Sequence, residues 1–150
     1  MSDVDRAARR AAIRWLRASY WAGVILDALA ALSMLSPALF AATNGLDGFS
    51  PGPDDRYAMG MGASLMIGWT VLLLWADRQP LARCGVLLIT LCPVVVGLAA
   101  NELLAVRAGF LHLAMTAPIW LVQALLSVLF LVAYAKASRV ARASTMQARG

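Results

Sequence analysis

The run SYWAGVILDALAALSML, residues 19–35, sets a single carboxylate, Asp27, in an otherwise apolar stretch. Burying a charge is costly unless it is paired, so an ionisable residue in such a run is by default a functional hypothesis. Counting at 1.5 Å per residue puts Asp27 about 12 Å along its helix from Ser19. The same depth in the other apolar runs brings up Thr70, Thr90 and Ser127, with Gln123 one turn farther in. No lysine or arginine falls at that level. An uncompensated carboxylate in apolar surroundings tends to take a proton, so Asp27 is expected to be neutral or proton-exchanging near neutral pH. Three roles are open to it. It could act as helix glue, hydrogen-bonded to Thr70, Ser127 or a backbone carbonyl. It could be a proton or cation site lined by Thr70, Thr90, Gln123 and Ser127. It could also snorkel to the near leaflet.

Other candidate groups are sparse. Glu102 and His112 fall near the outer ends of the last two apolar runs, where a Glu–His pair would serve proton entry or act as a structural latch. Cys84 and Cys92 are eight residues, about 12 Å, apart along one helix. That is too far for a disulfide, so reduced thiols are expected. No metal site is expected, because His112 is the only histidine. There is no nucleophile–base pair, phosphate loop, haem ligand pair or cluster of intramembrane carboxylates. The expectation is therefore not an enzyme, with no catalytic residue and no cofactor.

The elements that must position these groups follow from composition. Of the 150 residues, 61% are hydrophobic and 14% charged, with a mean hydropathy of +0.73. Soluble domains are far less apolar. Four runs reach the roughly 20 apolar residues needed to cross a bilayer: about 18–42, 57–76, 84–105 and 111–135. Eleven of the thirteen basic residues precede span one, separate spans two and three, or follow span four; only Arg56 and Arg107 lie on the other side. Cationic flanks stay in the cytoplasm, so both termini are expected there. The same distribution accounts for the net charge of +5 without nucleic acid. The first apolar run is too long for a secretory signal's core and is read as a retained span.

Residues 1–17 place Arg6, Arg10, Arg14 and Arg17 near one face, as in a short helix lying on the inner leaflet. Residues 136–150, with Arg139, form a basic tail expected to fray. Either segment could attract anionic lipid, and either serves as a topology signal. The long loop TNGLDGFSPGPDDR is turn chemistry, with Asp54–Asp55 capping span two. Short connections between spans two and three and between three and four imply hairpins. Trp15, Tyr20, Trp21, Trp75 and Tyr134 on one side, and Tyr57 and Phe110 on the other, form an aromatic belt. Small residues recur every four positions at Gly60, Ser64 and Gly68, and a stripe of Ser19, Gly23, Asp27 and Ala31 matches them. Such stripes let helix backbones approach closely, within one chain or between copies. Pro93 and Pro118 interrupt spans three and four, and Pro93 points to a cavity near the Asp27 level.

The run YAMGMGASLMIGWTVLLLWADRQPLARCGVLLIT, with Tyr20–Trp21 and Asp27, resembles small four-span prokaryotic integral membrane proteins of unassigned activity. The resemblance covers most of residues 20–134 and implies no function. Asp77–Arg78 with Arg83 resembles an Asp-Arg…Arg inner-loop motif of major facilitator transporters, whose twelve-span fold is far larger. Small multidrug-resistance transporters are similar in having four spans and an acidic residue in the first, but their weak charge bias differs from the strong bias here. No residue role is carried over from either. The expected fold is an all-α, up-down-up-down bundle of four transmembrane helices in a prokaryotic cytoplasmic (inner) membrane. The expected function is helix packing, in a homo-oligomer or beside a membrane partner. The alternative is a small proton- or cation-coupled transporter using Asp27.

Overall fold

The computed structural model describes residues 3–147, and every regular element among them is helical. α1 (Asp3–Leu35) is unbroken from the basic segment through the first apolar run. The sequence predicts a separate surface helix over residues 1–17. No glycine or proline stands between Asp3 and Tyr20, and an alanine-rich basic stretch is itself a strong helix former, so nothing interrupts the ladder. α1 ends where Pro37 follows Ser36, because a proline cannot continue the helix's hydrogen bonding. The Ser36 hydroxyl accepts from the Leu39 amide at 3.3 Å and starts α2 (Pro37–Asn44). Gly45 closes α2 at φ 65°. A side chain at Gly45 would be strained by that backbone angle and would strike Met115 Cγ at 2.8 Å.

α3 (Pro53–Asp77) starts with proline in its first turn, where the missing amide costs nothing. The Asp55 carboxylate accepts from the Gly52 amide at 3.0 Å. The third span has three parts. α4 (Gly85–Ile89) leads into a π-helical turn over Thr90–Val95, and α5 (Val96–Arg107) follows. Pro93 lies within the wide turn. It has no amide to offer the preceding turn, and its ring crowds a carbonyl there, which explains why regular α geometry fails at this point. α6 (Leu113–Gln147) carries Pro118 near its start, where only the first turns could be disturbed, and continues unbroken into the basic tail.

Four helical stretches, Asp3–Leu35, Pro53–Asp77, Gly85–Arg107 and Leu113–Ala143, are long and apolar enough to cross a membrane. The core lies where α1, α3, α4 and α6 meet. Leu16, Tyr20, Leu73, Leu87 and Phe130 are fully buried there, with Val24, Leu91 and Val95 nearly so. Gly23 makes this packing possible: a Cβ added there would meet Leu73 Cδ1 at 2.9 Å and Phe130 Cζ at 3.3 Å. Polar contacts close one end of the core. The Tyr20 hydroxyl donates to the Arg83 carbonyl at 3.0 Å. The Arg83 guanidinium stacks 3.5 Å from the Trp75 ring centroid and donates to the Trp75 carbonyl. Lys136 Nζ stands 5.5 Å from the Trp15 ring centroid at the same end.

Candidate functional site

Asp27 follows Gly23 by one turn on α1 and is half-buried. Its Oδ2 is buried and has no hydrogen-bond partner among the described residues. The hydroxyls expected beside it are committed elsewhere. Thr70 Oγ1 donates to the Met66 carbonyl at 2.8 Å, Thr90 Oγ1 to Val86 at 2.9 Å, and Ser127 Oγ to Gln123 at 2.7 Å. Each bond runs to the carbonyl four residues earlier on its own helix, a usual resting place for a hydroxyl in a span. Thr90 Oγ1 also accepts from Trp69 Nε1 at 3.1 Å, which ties α3 to the π-helical turn. Thus no hydrogen bond joins Asp27 to Thr70, Thr90, Ser127 or Gln123.

Gln123 turns instead to Glu102. Its Nε2 donates to Oε1 at 3.0 Å and to Oε2 at 3.1 Å, linking α5 to α6. The sequence sets Glu102 against His112, but no hydrogen bond or ion pair joins those two among the described residues. His112 is exposed, and its backbone carbonyl accepts from the Met115 and Thr116 amides and from Thr116 Oγ1 as α6 begins. Trp120, one turn before Gln123, interacts with the Glu102 carboxylate. Its Nε1 is nevertheless buried outside hydrogen-bonding geometry, as is Gln123 Oε1. Trp120 and Gln123 are among the residues that line a groove of about 500 Å³ between α5 and α6. Its remaining walls are apolar: Val95, Val96, Ala99, Ala100, Leu103 and Ala124, with Ser127 at one end. The groove lies where α5 leaves the core after the π-helical turn; no residue of α5 is buried.

The small-residue stripes divide. Ser19 and Ala31 are buried with Gly23, and Ser19 Oγ donates to the Trp15 carbonyl at 2.9 Å. On α3, the residues packed inward are Gly62, Ala63, Leu73 and Ala76. A Cβ on Gly62 would meet Met34 Sδ at 2.7 Å. Gly60 and Gly68 have nothing within 4 Å of a Cβ position, and the exposed Ser64 bonds only to its own helix, at the Gly60 carbonyl. Cys84 and Cys92 are free thiols. Among the described residues no three metal-ligating side chains gather.

Spacing along the sequence sets Gln123 near the Asp27 level and Glu102 beside His112, so it does not pair Glu102 with Gln123. A signal was present: Glu102 is the sole charge within the third apolar run, and Trp120 and Gln123 share a face of the fourth at three-residue spacing. Comparison with family models, with curated proteins and with solved structures finds no match.

Proposed function

We propose that the protein is a small polytopic component of a prokaryotic cytoplasmic membrane that acts through helix packing, as a homo-oligomer or beside a membrane partner. The observation that carries this reading is the outward stripe Gly60, Ser64 and Gly68, bare within the monomer while the opposite face of α3 is packed. In lipid, small residues at this spacing allow a second helix to approach closely. The reading has the four spans running up-down-up-down with both termini cytoplasmic. The gathering of Arg17, Arg83 and Lys136 at one end of the core supports it. Arg6, Arg10, Arg14 and Arg139 then face anionic headgroups. Single-molecule counting in bilayers tests the homo-oligomer. Wild type is expected to associate, and the double variant Gly60→Ile/Gly68→Ile is expected to be monomeric with unchanged helicity. A wild type that stays monomeric at every density overturns self-association.

A second reading, a small proton- or cation-coupled transporter, is favoured by one feature: the buried, unpartnered Oδ2 of Asp27. Proton and sodium flux into proteoliposomes tests it, with Asp27→Asn as the silent variant. If wild type and Asp27→Asn pass ions equally, or neither passes any, this reading falls.

A further inference from the structure

α6 runs on from its apolar stretch into a basic end, and a hollow of about 290 Å³ lies against it there, lined by Tyr134, Ala135, Ser138, Arg139 and Arg142. These residues share one face of the helix, and both arginines are exposed. The Ser138 hydroxyl donates to the Tyr134 carbonyl at 2.9 Å, which leaves the two guanidinium groups and the Tyr134 hydroxyl as the donors facing the hollow. Tyr134 stands at the end of the apolar run. At 1.5 Å per residue, Arg139 lies about 7.5 Å and Arg142 about 12 Å beyond it. A headgroup layer is roughly 5–8 Å deep on each side of a bilayer, so Arg139 falls within it. Helical side chains tilt toward the N-terminus of their helix, which brings the long Arg142 side chain back toward the same layer.

The same face continues into the bilayer. Leu131, Ser127 and Ala124 precede Tyr134 at steps of three and four residues. Leu131 is 48% exposed, and Ser127 and Ala124 line the groove between α5 and α6. Ala124 lies about 15 Å in from Tyr134, half of the roughly 30 Å hydrocarbon core and so the depth that the chains of one leaflet reach. We infer that this face of α6 holds one anionic glycerophospholipid: its phosphate accepts from Arg139, Arg142 and the Tyr134 hydroxyl, and an acyl chain runs past Leu131 into the open groove at Ser127 and Ala124. Charge selects the occupant. Two guanidinium groups, with no carboxylate among the described residues lining the hollow, match the oxygens of a phosphate. A zwitterionic lipid brings an ammonium to the same place and loses part of that attraction. A free phosphate would satisfy the arginines and leave the apolar track uncovered. The inference rests on the membrane placement proposed above and is independent of self-association and of Asp27.

Native mass spectrometry of the full-length protein released from micelles tests this, with dioleoyl phosphatidylglycerol, dioleoyl phosphatidylcholine and glycerol phosphate as probes. Wild type is expected to hold one equivalent of phosphatidylglycerol about tenfold more tightly than phosphatidylcholine, the scale of two arginines at an interface. Glycerol phosphate is expected not to displace it. Arg139→Gln/Arg142→Gln should abolish the preference, whereas Arg6→Gln/Arg9→Gln, which loses the same charge elsewhere, should keep it. Equal binding of the two lipids, or multiple non-saturating adducts, overturns the inference. A preference lost alike in both double variants marks diffuse attraction to charge and also overturns it. Displacement by glycerol phosphate would mark a free-anion site, with the same consequence. The wild-type ranking decides the matter even where a variant fails to fold. Carbonate extraction of cell membranes reads the placement separately: a chain that washes off fails the placement, and one that stays without showing the ranking fails this inference alone.

Discussion

The two halves of this bundle are built from the same apolar residue types and finish very differently. Around Tyr20, Leu73, Leu87 and Phe130 the helices close completely, and the hydroxyl of Tyr20 is satisfied by Arg83. Beyond the π-helical turn, α5 buries nothing, and an open groove separates part of it from α6. The closed half combines large residues with the one glycine that lets them meet. In the open half the small side chains of Ala99, Ala100, Ala124 and Ser127 line much of the groove and leave it unfilled. The difference teaches that hydropathy gives a span its length, whereas residue size and one proline decide whether it packs or parts from its neighbours.

The comparison is broken most forcefully at Phe130. Phe130→Ala empties the centre of the closed half and should cost about 3–5 kcal/mol, read as a fall in the midpoint of denaturant unfolding in micelles. Leu103→Ala, on the groove wall and 40% exposed, should cost under about 1 kcal/mol by the same measurement. If the two losses are alike, the halves do not differ as described. Gly23→Val comes next. Its new methyls meet Leu73 and Phe130, and overpacking of this kind costs about 1–3 kcal/mol. Gly97→Val, in α5 with nothing within 4 Å, serves as its counterpart and should be nearly neutral. Smaller again is Tyr20→Phe, which leaves the packing intact and removes one hydrogen bond to the Arg83 carbonyl, worth about 1 kcal/mol.

The closed half was the more legible in sequence. Four apolar runs follow from hydropathy alone, and Gly23 with Ser19 and Ala31 was readable as a packing stripe because small residues at four-residue spacing mean close approach wherever they face a neighbour. What spacing could not reveal is which face of α3 turns inward: Gly60, Ser64 and Gly68 look the better stripe, yet Gly62 and Ala63 make the contact. That choice depends on rotation about the helix axis, which the Met34, Leu73 and Phe130 side chains settle together. Pro93 foretold an interruption but not its form, since a kink and a π-helical turn have the same local cause. The bonding of the polar residues was not legible in the spacing. Thr70, Thr90 and Ser127 each had a carbonyl on their own helix within reach, and a local bond forms without waiting for a partner helix.

The smallest effect sharpens the comparison from the other side, by asking whether charge rather than packing holds the closed half. Arg17 Nε lies 3.8 Å from Asp77 Oδ1, within reach of an ion pair and too far for a hydrogen bond, so Asp77 Oδ1 remains without one. The arginine side chain is 60% exposed. A pair whose cation is this exposed is weakened by water, by salt and by the entropy of fixing a long side chain, and contributes about 1 kcal/mol or less. Arg17→Gln should therefore shift the unfolding midpoint by less than Tyr20→Phe does, and the small difference from wild type should shrink further between low and high salt. A loss as large as that of Gly23→Val, insensitive to salt, would mean that Arg17 contributes through its buried stem. The closed half would then extend to the basic end of α1 and not stop at Leu16 and Tyr20.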